Sequence, residues 1–194
     1  MKPAAPLPYL HSMAIRPILE APDPRLRVIS KPVETIDDDL RTLVADMFET
    51  MYAAPGIGLA AVQVGVPVRL LVIDLQEPEN PDDPESPNVK DPRVFINPEI
   101  LWHSDTEVPY TEGCLSVPEQ YAEVMRPDRI RAKWRDEKGN SYEEEIEGLL
   151  AVCLQHEMDH LNGVLFIDHL SRLKRDMVLK KLAKWRKEQQ KKAA

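Results

Sequence analysis

The stretch Gly148-Leu149-Leu150-Ala151-Val152-Cys153-Leu154-Gln155-His156-Glu157-Met158-Asp159-His160-Leu161-Asn162-Gly163 decides how this 194-residue chain is read. Its apolar residues recur at helical spacing, and Asn162-Gly163 is the stop expected after a helix. A helix over residues 148 to 160 sets His156 and His160 one turn apart, with Cβ atoms roughly 5–6 Å from each other. Both imidazoles can then bind one metal ion. Glu157 follows His156 directly and can reach a water at that ion as general base. The plainer reading, polar residues surrounding a histidine pair, leaves unexplained why the motif falls on an independently predicted helix.

Two histidines leave a tetrahedral ion in need of a third protein ligand and an open position for water. The metzincin continuation HExxHxxGxxH is absent, because His160 is followed by Leu161, Asn162, Gly163, Val164, Leu165 and Phe166. His169 lies beyond the helix stop, where a polar loop residue fits better than a ligand. Cys153 shares the helix face, but its seven-residue separation from His160, at about 1.5 Å rise per residue, amounts to about 10 Å. Metal bonds of about 2.0–2.3 Å do not bridge that span, so Cys153 is expected to pack beside the site without ligating. Cys114, in Glu112-Gly113-Cys114-Leu115-Ser116, remains to complete a Cys-His-His set, with Gly113 letting the backbone come close to another group. A lone cysteine is commonly a small buried hydrophobe, and only the HExxH partner favours a ligand here. A cysteine nucleophile with a histidine base would leave Glu157 and the second histidine without a task.

The composition, 43% hydrophobic and 30% charged, is that of a folded domain with one sizeable core. No apolar run approaches the roughly 20 residues that span a bilayer, which excludes a membrane-spanning reading. Residues 1 to 12, MKPAAPLPYLHS, lack the apolar segment of a secretory signal, so the cytoplasm is the default compartment. Met13 reads as a natural start. Residues 1 to 12 are therefore expected to be a disordered extension, and 13 to 194 the catalytic domain. Two cysteines are too few for a disulfide framework. The net charge of -8 disfavours nucleic-acid binding by the body of the protein, and no specific DNA binding is expected. Between Arg172 and Lys192, however, ten Lys or Arg face only Asp176 and Glu188, so this segment carries +8 and the remainder -16. Such a basic helix could touch an anionic partner or simply be a solvated face.

Upstream, Leu40, Leu43, Val44, Met47, Phe48 and Met51 mark a first helix, capped by an acid among residues 37 to 39 and stopped by Pro55-Gly56. Residues 68 to 75 and 93 to 97 read as strands. The segment between them, QEPENPDDPESPNVKDP, has five prolines and many acids; it is expected to be an exposed excursion that supplies no ladder donors. Residues 130 to 135 and 142 to 146 flank Lys138-Gly139-Asn140 as an antiparallel hairpin. Ser171 caps a last helix with Leu173, Val178, Leu182 and Trp185. Strands grouped together with helices at either end imply a single α+β domain.

The chain resembles the peptide deformylases. Three of their signatures occur in order: Gly56-Ile57-Gly58-Leu59-Ala60-Ala61-Val62-Gln63, Glu112-Gly113-Cys114-Leu115-Ser116 and Gln155-His156-Glu157-Met158-Asp159-His160. The form of the last two, with a helical C-terminus, is similar to the bacterial type 1 branch, from which this chain departs in a segment from Gln76 to Pro92 longer than expected there. The resemblance implies antiparallel β-sheets packed around a central HExxH helix, and hydrolysis of the formyl group from N-formylmethionyl nascent peptides. It implies Cys114, His156 and His160 as ligands of one divalent metal, Glu157 as proton shuttle, and Gln63 with the Leu115 N–H as donors to the oxyanion. Ile57, Gly58 and Gly113 would meet the substrate main chain, although as plain turn residues they are unremarkable. Leu149 and Cys153 would line the methionine pocket or simply pack in the core. Spacing does not select the ion, since Zn²⁺, Co²⁺, Ni²⁺ and Fe²⁺ all suit thiolate and imidazole; the resemblance implies Fe²⁺ in the cell and the others in purified protein. It leaves the basic helix as a candidate ribosome contact. Rival readings are a zincin-type endopeptidase, against which the missing downstream histidine argues, and a noncatalytic metal-binding or ribosome-docking module, which leaves Glu157 and Gln63 unexplained.

Overall fold

Helix α2 (Gly148–Leu161) lies against strands of two separate antiparallel sheets, which accounts for its burial nearly all round. The computed structural model describes residues 14–83 and 85–193, so the expectation for residues 1 to 12 falls outside the described residues. The larger sheet orders its strands β1 (Gly58–Ala60), β2 (Leu70–Ile73), β3 (Arg93–His103), β6 (Arg129–Arg135) and β7 (Ser141–Glu147). The smaller is a hairpin of β4 (Glu107–Cys114) and β5 (Val117–Pro127).

Successive side chains on a strand point to opposite faces, and here both faces of the larger sheet are covered. Leu71, Ile73 and Phe95 join Ile130, Ala132, Trp134 and Ile146 in a core shared with Ala151, Leu154 and Leu161 of α2. Leu70, Val72, Val94 and Ile96 pack the other way, against Leu43, Val44, Met47 and Met51 of α1 (Asp38–Ala53). This is why residues 70 to 73 read as an unbroken apolar run rather than an alternation. Each such side chain, fully buried, contributes about 1.5–3 kcal/mol. Helix α1 starts as its sequence requires, with the Asp37 carboxylate accepting the Leu40 N–H at 2.9 Å. A third core joins Val117 and Val124 of β5, Leu165, Phe166 and Ile167, and Val178 and Leu182 of α3 (Arg172–Ala193). Leu173, grouped with those two in the sequence reading, is 73% exposed and takes no part. Among the described residues no helix is long and apolar enough to cross a membrane.

Two expectations need correction. Strand β3 continues past residue 97 to His103, because Asn97 adopts φ 52° at a register irregularity that accommodates Pro98. The Asn97 side chain fixes this kink by accepting the Val33 N–H and donating to the Val33 carbonyl, each at 2.8 Å. The proline-rich segment is largely exposed, yet it does supply ladder donors: Glu79 N–H donates to Pro87 O at 3.0 Å and Val89 N–H to Glu77 O at 2.9 Å. Its prolines occupy positions whose missing N–H this small pairing does not need.

Candidate metal centre

Cys114 is the last residue of β4, where the hairpin register breaks, and α2 brings His156 and His160 to meet it. One donor atom from each of the three lies within 4.8 Å of the others, and Cys114 Sγ is 3.2 Å from His160 Nε2. A tetrahedral ion with bonds of about 2.0–2.3 Å needs donors about 3.3–3.6 Å apart, so the group has the right size for one ion. His156 Nδ1 lies 2.7 Å from Glu112 Oε2, which leaves Nε2 free to ligate. Glu157 Oε2 is buried without a hydrogen-bond partner. Unpartnered buried polar atoms are rare in a fold that needs nothing further, and a thiolate with two imidazoles suits a borderline divalent ion. The residues therefore fit a metal. An ion held there would supply Lewis acidity and lower the pKa of water at the site.

Burial opposes charge on His156, but the adjacent Cys114 and Glu112 outweigh it and raise its pKa. Burial and the neighbouring His156 lower that of His160. Burial pushes the Glu157 carboxyl up to about 7, where it can both take and return a proton near neutrality. Gly58 is the residue that allows Glu157 its place: a Cβ there would sit 2.6 Å from Glu157 Oε1 and 2.9 Å from Cys153 Sγ. Cys153 is not among the metal-holding group, and burial drives its thiol pKa well up, as befits an inert packing sulfur. Gln63 is buried in the short helix Ala61–Val64; its Oε1 accepts the Ala60 N–H at 2.7 Å, while Nε2 donates to Ser116 Oγ at 3.1 Å and faces Cys114 Sγ at 3.7 Å. These contacts fix the amide with its donor end toward the metal group.

The group opens into a cleft of about 660 Å³ whose walls include Ile57, Gly58, Gly113, Leu115, Leu149 and Cys153. All five residues that the resemblance assigns to the substrate, together with Gln63, Leu115 and Glu157, thus border one cavity. His169 stands apart, half exposed, with Nε2 2.7 Å from Asp159 Oδ2.

The sequence reading missed what holds His156. Glu112 and Cys114 share one face of β4, two residues apart, which aims the carboxylate at the helix that Cys114 meets. Arg126 of β5 answers Glu112 at 2.7 and 3.1 Å and reaches Asp159 at 2.7 Å. The signal available was a charged residue at the apolar phase of β5, since Val124 and Arg126 are both buried.

Comparison with known proteins agrees with this geometry. The family model described as "Polypeptide deformylase" matches residues 15–176. The peptide deformylase of Rhizorhabdus wittichii is 70% identical over 175 residues, covering 90% of this chain and 97% of that protein. That of Novosphingobium aromaticivorans is 64% identical, covering 90% and 99%. The crystal structure of a peptide deformylase from Legionella pneumophila superposes with a TM-score of 0.80 at 50% identity, over 91% of this chain and 98% of that one. The Ehrlichia chaffeensis enzyme in complex with actinonin gives 0.80 at 45%, over 89% and 98%. With three sequence signatures drawn around one Cys-His-His group beside a cleft, and a family match over most of its length, the chain belongs to the polypeptide deformylase family.

Proposed function

We propose that Glu157 moves the proton, and that Gln63 and the Leu115 N–H receive the developing negative charge, in the reaction of this family: hydrolysis of the N-formyl group from the N-terminal formylmethionine of nascent polypeptides, releasing formate. Cys114, His156 and His160 hold one divalent ion, Fe²⁺ in the cell, with Zn²⁺, Ni²⁺ or Co²⁺ as alternatives in purified protein. The observation that carries the reading is that Glu157, Gln63, Cys114 and His156 border one cleft, with His160 completing the metal-holding group behind them and Gln63 Nε2 only 3.7 Å from Cys114 Sγ.

Glu157 accepts a proton from the attacking water and passes it to the amine as the formyl C–N bond breaks. A carboxyl with a pKa raised toward neutrality suits both halves of that exchange. Gln63 is restrained by two hydrogen bonds before substrate arrives, so its amide needs no reorganisation; a donor of this kind contributes about 2.7–4 kcal/mol. Ile57, Gly58 and Gly113 take the substrate main chain as an added strand, and Leu149 and Cys153 line the pocket for methionine. Residues 13 to 194 form the catalytic domain of the type 1 kind, acting in the cytoplasm where nascent chains are met, and α3 offers its basic face to the ribosome.

The test is formate release from a formylated peptide by metal-loaded protein. Glu157→Ala is expected to retain the ion and lose activity by about 10²–10⁴-fold. Full activity in a metal-loaded variant would remove the proton-transfer role.

A further inference from the structure

Asp74 is a fully buried carboxylate just past the end of β2, and it anchors both ends of the proline-rich segment. Its Oδ1 accepts the Gln76 N–H at 3.0 Å and the Asp91 N–H at 3.1 Å, and its Oδ2 accepts the Tyr52 hydroxyl at 2.5 Å. Tyr52 is in turn covered by Lys90, whose Nζ sits 3.8 Å from the ring centroid. Burial and Asp74 raise the Tyr52 pKa, so the phenol stays protonated and remains a donor. None of these groups belongs to the metal site, and the reaction as described above uses none of them.

The cluster bears on the cleft through two carbonyls. Asp74 N–H donates to Ile57 O at 2.9 Å, and Gln76 Nε2 donates to Gly56 O at 3.1 Å. A peptide unit is planar and trans, so its N–H points opposite to its C=O. Holding the Gly56 carbonyl toward Gln76 turns the Ile57 N–H away from it. Holding the Ile57 carbonyl toward Asp74 does the same for the Gly58 N–H. Strand β1 is an end strand of its sheet, and Ile57 and Gly58 line the cleft. Gln76 reaches Gly56 from a left-handed backbone, φ 52°, a conformation that glycine or asparagine would adopt more readily. Strain of this sort calls for a compensating contact, and the contact found is the one to Gly56.

We propose that Gln76 is a positioning residue for the peptide part of the substrate: with its backbone seated by the Tyr52–Asp74 pair, its side-chain amide orients the Ile57 N–H that the substrate strand meets, beside the Gly58 N–H that Asp74 orients through the Ile57 carbonyl. The inference rests on the reading of Ile57 and Gly58 as substrate-facing. It gives the proline-rich segment a task as well, since both its ends close on the carboxylate that seats Gln76.

The experiment compares a formylated tripeptide with N-formylmethionine amide, which lacks downstream main chain, as substrates of the metal-loaded enzyme. In the wild type KM is expected to be lower for the tripeptide; equal KM values would overturn the substrate-facing reading and the latch together. Gln76→Gly relieves the backbone strain but removes the donor, and Gln76→Met keeps the size without the donor. Both are expected to raise the tripeptide KM about two- to tenfold, the effect of one lost hydrogen bond, with kcat and the short-substrate KM within about twofold. The melting temperature of Gln76→Gly is expected to be no lower than that of the wild type. A wild-type tripeptide advantage that survives intact in both variants would overturn the latch alone. So would a KM that rises equally for both substrates.

Discussion

The Glu112 carboxylate lies 2.7 Å from His156 Nδ1 and is held there from behind by Arg126, so a metal-facing imidazole is oriented by a buried ion pair on the opposite sheet. Partners of this kind set which ring nitrogen is free to ligate, and their loss costs metal affinity about 10- to 100-fold. Glu112→Ala is expected to fall in that range in a chelator competition. Glu112→Gln, whose carbonyl oxygen can still accept from Nδ1–H, should lose less. Equal affinities in all three proteins would show that Glu112 does not orient His156.

The same pair predicts how the fold meets acid. Burial opposes ionisation of Glu112, but hydrogen bonds from His156 and Arg126 outweigh it and bring its pKa from 4.5 to about 2. A carboxyl whose pKa is depressed by folding stabilises the native state fully above its unfolded value, and that stabilisation is lost as pH falls through the folded one. The window is therefore pH 4.5 down to about 2, and the depression corresponds to roughly 3 kcal/mol. In chelator-treated protein, the melting temperature of Glu112→Gln should lie well below that of the wild type at pH 6 and approach it by about pH 2. A gap that stays constant over that range would separate the stability of the fold from this carboxylate.

Gly58→Ala addresses the proposed proton-transfer role of Glu157 through the backbone. The added methyl would meet Glu157 Oε1 and Cys153 Sγ well inside contact distance, so either the strand edge or the carboxyl must move. Overpacking of this order costs about 1–3 kcal/mol of stability. Activity should fall further than stability, because Glu157 is displaced while Cys114, His156 and His160 keep their places. Metal content close to wild type, with kcat lowered at least about tenfold, is the expected pattern. Unchanged kcat would mean that the carboxyl tolerates the displacement.

How far this was legible in sequence follows from where each signal is local. Helix α2 and its histidines could be read because period, stop and motif lie within sixteen consecutive residues. The hairpin of β6 and β7 was equally local, with a glycine turn between two alternating runs. By contrast β4 and β5 carry glutamates, prolines and the exposed Tyr121, since one face of that hairpin is open and its inner face meets helices far along the chain. The Glu112–Arg126 pair was hidden for the same reason: each residue looks like surface charge until the hairpin closes and α2 packs on it. The turn at Asn97 hid the second half of β3, because a kink held by a side chain 64 positions from its partner leaves no local trace. The three family signatures were readable in order, but only the fold shows that Gln63 is clamped with its donor facing Cys114.

Helix α3 demands a test that separates charge from packing. Val178 and Leu182 are buried against β5 and the segment around Phe166, and Arg186 reaches Glu20, a residue of the cleft wall, at 2.9 and 3.1 Å. Deleting the helix would therefore uncover the third core and loosen the cleft, and a loss of ribosome binding would be ambiguous. Lys180, Lys184, Lys187 and Lys191 are exposed and leave those contacts untouched when reversed to Glu. Reversing four of them moves the segment from +8 to 0, so electrostatic association with an anionic surface should weaken and lose most of its dependence on salt. Formate release from a free formylated tripeptide should stay within about twofold, because none of the four lines the cleft. Cosedimentation with ribosomes that persists unchanged after the reversal would leave the basic face as a solvated surface, which is what isolated charge runs usually are.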